Sequence, residues 1–365
     1  MSSPVEIRGL GLVTSVGLDL AHSAASIRAG LNRFQSLEDI KVYDGDEFEA
    51  PIAGAPINIL TRGYVQQARW LRLAERAVKG LLDSPGLKQK IMQDSSPLMV
   101  IWALPDMTDL FRWPKDQAPE LLQKFLLEPL ARRLGIPLIT PENGWFCEGS
   151  SGGPRALRAT ARSLAGESLK RVLCIGVDSL TEPLCLQHLA EQRRLKTPEN
   201  PTGLIPGESA AAVLLESGKT AGVSRLRLYQ ALHKSLPLDR NPENWRTLSA
   251  YEIGRELGRL ILDALGVLND KVFKGDIYLD LNGEEWRAVA WSSALIVLKA
   301  SNKIDLDACE YRIPGTSLGD IGSASSVAMI GLAAESFSRR YARSNLSLIL
   351  SISDQGDIGV ILIGL

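Results

Sequence analysis

Very few residues of this 365-residue chain could do acid–base, nucleophilic or metal chemistry. The histidines are His22, His188 and His233, and the cysteines are Cys147, Cys174, Cys185 and Cys309, with no CxxC pair among them. Structural zinc takes clustered ligands at short spacings, so neither a metal centre nor a disulfide framework is indicated. His22 in LAHSAASIRAG and His188 in LCLQHLAEQ read as helix residues, and Cys174 in VLCIGV as a buried strand thiol. The run Gly149, Ser150, Ser151, Gly152, Gly153 stands just ahead of the helical pattern PRALRATARSLAG, where backbone N–H groups can meet an anion. It lacks the lysine and the spacing of a phosphate-binding P-loop. GLGLVTSVG lacks the GxGxxG spacing of a dinucleotide loop and reads as a tight structural turn. Glu284 and Glu285 could be paired as acid and base, but adjacent helix residues point apart, and carboxylates in a first turn complement the helix dipole.

The elements that must position these residues alternate between apolar strand-like runs and amphipathic helical stretches, which favours an α/β architecture. Strands are expected at VEIRGLGLVT, PLMVIWAL, RVLCIGVDS, AAAVLLES, DIYLDLNG, LSLILSI and IGVILIGL, with helices between them, and RLRLYQALHK follows the midpoint of the chain without an assigned element. The small, polar segment SGKTAGVS predicts a junction between an N-terminal half, 1–218, and a C-terminal half, 219–365, with no obvious residue-level repeat between them. EQRRLKTPEN reads as a solvated, charged loop. Lys+Arg 41 against Asp+Glu 42 leaves a net charge of -1, which provides no global basic field for nucleic acid or anionic membrane. The opening MSSPVEIRGLG has no secretory pattern, and no apolar run reaches the roughly 20 residues of a spanning helix. A cytoplasmic protein without membrane insertion is expected.

Four blocks resemble the β-ketoacyl synthases of the thiolase superfamily. VEIRGLGLVTSVGLDLAHSAASIRAGLNRF is similar to their opening strand, Gly turn and helix. LARRLGIPLITPENGWFCEGSSGGPRALRATARSLAGESLKRVLCIGVDSL looks like their nucleophile region, where a strand delivers Cys to a buried helix N-terminus. TGLIPGESAAAVLLES is similar to their Gly-Glu-Gly turn, with Gly207 and Glu208 in place and Ser209 for the second Gly. PGTSLGDIGSASSVAMIGLA resembles their Gly-His-Thr-Leu-Gly helix start. The resemblance spans nearly the whole chain and implies a thiolase-like fold. That fold has two pseudo-symmetric α/β halves, each with a five-stranded mixed sheet, in an αβαβα five-layer arrangement.

Such a synthase needs a thiolate to hold the acyl chain and two imidazoles to drive decarboxylation. The resemblance puts Ser150 at the cysteine position, Asn282 at the first histidine and Thr316 at the second. The family's lysine falls on Tyr311, beside Arg312, and the gating loop becomes SDQGDIG near Asp354 and Gly356. Since no histidine follows His233, no shift of alignment restores either imidazole in the C-terminal half. Cys147, three residues before Ser150, is the other candidate nucleophile. The resemblance therefore implies a catalytically inactive ketosynthase-like protein, a scaffold, chaperone or adaptor of the kind that accompanies bacterial secretion or polyketide assembly. It is expected to form a homodimer or a heterodimer with a related chain, to use no cofactor and no metal, and to meet an acyl carrier protein in the polyketide setting. The competing expectation is an acyl-transfer or acyl-binding protein in which Ser150 or Cys147 works with a carboxylate base, or the non-catalytic subunit of a ketosynthase heterodimer.

Overall fold

Long apolar runs without polar alternation require strands buried on both faces. The computed structural model describes residues 5–44, 48–94, 96–106, 117–165, 169–218, 226–236, 249–269 and 271–365, with backbone alone for 38–44 and 48–51. Its strands are β1 Val5–Val13, β2 Gln35–Asp44, β3 Phe48–Gly54, β4 Leu98–Leu104, β5 Leu138–Ile139, β6 Trp145–Cys147, β7 Arg171–Ser179, β8 Glu208–Ser217, β9 Arg227–Ser235, β10 Asp276–Tyr278, β11 Glu310–Arg312, β12 Leu346–Ile352 and β13 Asp357–Gly364. The longer helices are α1 Leu20–Arg28, α2 Gln66–Leu82, α3 Gly152–Ala165, α4 Pro183–Glu191, α5 Ala250–Leu265, α6 Glu285–Lys299 and α7 Ser325–Ser338.

The strand order carries the internal repeat that the residues conceal. The first set runs β5-β4-β7-β8-β1 and the second β11-β10-β12-β13-β9, so each set places its third, second, fourth, fifth and first strands in sequence. The pairings repeat as well: two parallel ladders, then two antiparallel ones. A short antiparallel ladder, Val5 with Leu228 and Glu6 with Arg227, joins the sets edge to edge. The expected junction at 218/219 opens onto residues 219–225, outside the described residues.

Strict alternation divides each strand between two cores. On β4, Val100, Trp102 and Leu104 face an outer cluster with α2, while Ile101 and Ala103 face a central one with α3 and α7. On β13, Ile361 and Ile363 join that same central cluster, while Ile358, Val360 and Leu362 meet α5 and α6. The layers are therefore helix, sheet, helices, sheet, helices, as the resemblance implies.

The central helices show a repeat that the sequence reading does not find. Gly149–Ser151 and Gly322–Ala324 are each a single 3-10 turn, each followed at once by a 14-residue helix, α3 or α7. Both turns open on a left-handed residue, Gly149 at φ 58° and Gly322 at φ 51°, a conformation that costs a side-chain-bearing residue energy. Among the described residues, no helix is long and apolar enough to cross a membrane.

Candidate functional site

The parallel ladder of β6 on β4 sets Cys147 opposite Leu104, and the chain then turns through Glu148 into Gly149–Ser151 and α3. Ser150 is buried in this turn, and its carbonyl accepts a hydrogen bond from the Ser351 hydroxyl of β12. Its own hydroxyl makes no hydrogen bond among the described residues, and a serine without a base partner is a weak nucleophile. Cys147 packs against the outer cluster that holds Trp102. Burial, with the charge of Asp106, pushes its thiol up to about 12, leaving almost no thiolate at neutral pH.

Asn282 follows β10 and is buried in a polar knot. Its Nδ2 donates to Asp320 Oδ2 at 2.7 Å and to Glu284 Oε2 at 2.9 Å, while its Oδ1 accepts from the Glu284 backbone N–H at 3.0 Å. Every hydrogen-bonding group of that side chain is engaged except the second lone pair of Oδ1. Thr316 lies in the turn Gly315–Leu318 and is exposed; its hydroxyl folds back to donate to the Ile313 carbonyl at 2.8 Å. A small pocket, with room for a water molecule or so, opens between Asn282, Gly315, Asp320 and Met329. The Ser150 turn packs on the Gly322–Ala324 turn, which is tied to Asp320 by the Gly322 N–H at 2.9 Å, and on α7, which lines the pocket through Ser325, Ala328 and Met329.

Around Asn282 lies an ion network. Arg194 grips Glu284 through Nε and Nη2, both at 2.8 Å, and reaches Asp354 Oδ2 at 2.5 Å. Arg287, 2% exposed, donates to Asp280 at 2.9 Å, to Asp354 at 3.3 Å and to the Ile352 carbonyl at 2.8 Å. Burial pushes Asp280 up to about 6 against the pull of Arg287, and pushes Asp178 up to about 7, helped by Asp320. Burial acts on Asp354 in the same direction, but Arg194 and Arg287 outweigh it and hold that carboxyl below the usual range. Glu208, fully buried, accepts from Thr61 Oγ1 at 2.6 Å and Ser179 Oγ at 2.7 Å, a structural tie.

Two sequence expectations change here. Arg194 belongs to EQRRLKTPEN, read as a solvated loop, yet it is 7% exposed and paired on two sides. The α4 helix ends on Arg193 in the left-handed conformation, with the N–H groups of Arg193 and Arg194 bonded back to Ala190 and Leu189; this closing turn carries no glycine signal. Glu284 does stand at a helix start, the residue before α6, but as a buried ion-pair partner as well as a dipole complement. Tyr311 is exposed on β11, with its hydroxyl on the Leu306 carbonyl, and Arg312 pairs with Asp276 at 3.4 Å. Asp320 and Ser351 escaped sequence reading because nothing local distinguishes them, and His233, half-buried and named there only as one of three histidines, carries no local sign of its neighbours.

No protein-family profile matches the sequence, and no curated protein matches it either. Solved structures do. The oxazolomycin ketosynthase domain of Streptomyces albus superposes with a TM-score of 0.75 at 14% identity, over 99% of this chain and 74% of that one. The chain has the thiolase-like ketosynthase fold. A ketosynthase in complex with its chain length factor from Xenorhabdus doucetiae gives 0.70 at 14% identity, over 100% of this chain and 98% of that one. A type II polyketide acyl-carrier protein in complex with its hexaketide-bound ketosynthase gives 0.72 at 13% identity, over 100% and 99%. Ketosynthase-like architecture thus accounts for the whole chain.

Proposed function

We propose that this chain is a non-condensing ketosynthase-fold subunit that acts by binding protein partners, foremost a related ketosynthase chain. The observation that carries this reading is Asn282. At the position the resemblance assigns to the first imidazole stands an amide that cannot take a proton, tied to Asp320 and Glu284 within a buried ion network. Decarboxylative condensation needs donors aimed at a developing enolate oxygen. Here the Asn282 amide hydrogens are already committed to carboxylates, and the Thr316 hydroxyl to a backbone carbonyl. Ser150 has no partnered base among the described residues. Fold without site argues for function through surfaces. Similar structures include ketosynthases bound to a chain length factor or an acyl carrier protein, which supports a partner of that kind. A scaffold or adaptor role in secretion remains the alternative setting for the same property.

The test is decarboxylation of a malonyl thioester, the step that depends on the imidazoles. The purified chain should show no rate above buffer, whereas adding an intact Cys-His-His ketosynthase that it binds should give activity exceeding that enzyme alone. Turnover by the chain by itself contradicts the proposal.

A further inference from the structure

His233 on β9 lies opposite Gly359 of β13, and Gly359 lies opposite Ser351 of β12. Residues in one cross-strand row share a sheet face, so His233 points to the side on which Ser351 holds the Ser150 carbonyl. Gly359, between them, leaves room for the first turn of α3: a Cβ there would stand 2.3 Å from Pro154 Cγ. His233 is thus seated beneath the Ser150 turn.

Its side chain is 8% exposed, with Nε2 3.5 Å from Asp357 Oδ1 and 3.8 Å from Glu148 Oε2. Neither His233 Nε2 nor Glu148 Oε2 makes a hydrogen bond. The other Glu148 oxygen pairs with Arg155 of α3. The charged groups that face the ring are therefore Asp357 on β13, Glu148 before the turn, and Arg155 and Arg158 on α3. Burial, then the two arginines, hold the imidazole below the usual histidine range against the opposing pull of Asp357.

We propose that His233 is a proton-operated latch that ties Glu148, and with it the Ser150 turn, to the β9–β13 ladder. A proton taken from solvent makes both ring nitrogens donors and puts a positive charge between two carboxylates. Glu148 is then drawn from Arg155 toward the ring, and Gly149–Ser151, the next residues, move with it. At neutral pH the ring is uncharged and the latch is open.

NMR tests this on the whole chain, since three histidines give three ring signals. His233 should titrate below about 6.5. Glu148→Gln, which removes a carboxylate favouring the charged ring, should move that midpoint lower by about half a unit. Backbone amides of residues 149–153 should follow the same midpoint in wild type and lose that titration in His233→Gln. A midpoint unmoved by Glu148→Gln, or an amide titration that persists in His233→Gln, overturns the latch. Should His233→Gln fail to fold, wild type and Glu148→Gln decide the matter by themselves.

Discussion

Arg194 and Glu284 form a two-pronged ion pair, with both N–O distances at 2.8 Å, across 90 positions of sequence. Both side chains are more than nine-tenths buried, at 7% and 6% exposure. Parallel N–H to carboxylate bonds fix orientation as well as adding energy, and a buried charge is tolerated only with such satisfaction. The pair links the loop after α4 to the start of α6 and fixes Glu284, which in turn fixes Asn282.

Removing one partner strands the other. Arg194→Ala and Glu284→Ala should each cost about 3–5 kcal/mol, and the double variant Arg194→Met with Glu284→Leu much less than their sum. Urea unfolding measures this. Single costs under about 1 kcal/mol would show that the pair does not hold the site.

Asn282 supplies the donors between two carboxylates. Asn282→Asp replaces them with a third carboxylate, 2.7 Å from Asp320 and 2.9 Å from Glu284. At pH 7 this should destabilise by about 2–4 kcal/mol through lost bonds and like-charge repulsion. Part of the loss should return near pH 5 as one acid of the cluster keeps its proton. A pH-independent cost contradicts the geometry.

The pH dependence of two buried acids follows from their surroundings. Asp178 and Asp280 are pushed by burial to about 7 and about 6, so the folded chain holds more protons than the unfolded one above about pH 4. Their contributions to stability are complete at acid pH. They fall as pH rises, toward about 6 for Asp280 and about 7 for Asp178. Carboxyl-carbon NMR should find those midpoints, and values near 4 would refute the account.

The thiols should be inert in the native state. Burial raises Cys147 and Cys174 to about 12 and Cys309 to about 11, and pushes Cys185 well up too. A thiol-exchange reagent at pH 8 should therefore react with none of the four in minutes and with all four after unfolding. Rapid native labelling at Cys147 would revive it as a nucleophile.

The fold was legible because its strands are buried on both faces and so appear as apolar runs, such as VLCIGV and IGVILIGL, between amphipathic helices. The turns before α3 and α7 were legible as glycine and serine runs, but not as copies of one another: the shared feature is a backbone angle at Gly149 and Gly322. The ion network was not legible. Whether Arg194 is solvated or buried depends on Glu284 and Asp354, 90 and 160 positions away, and no local pattern records them. His233 hid for the same reason, since its neighbours Glu148 and Asp357 come from two other segments.

Intact-mass spectrometry after incubation with acyl-coenzyme A and acyl carrier protein donors addresses the central claim most directly, with Ser150→Ala and Cys147→Ala alongside. The account predicts an unmodified mass for all three proteins. A stoichiometric acyl adduct that disappears in one variant would contradict it and name the nucleophile.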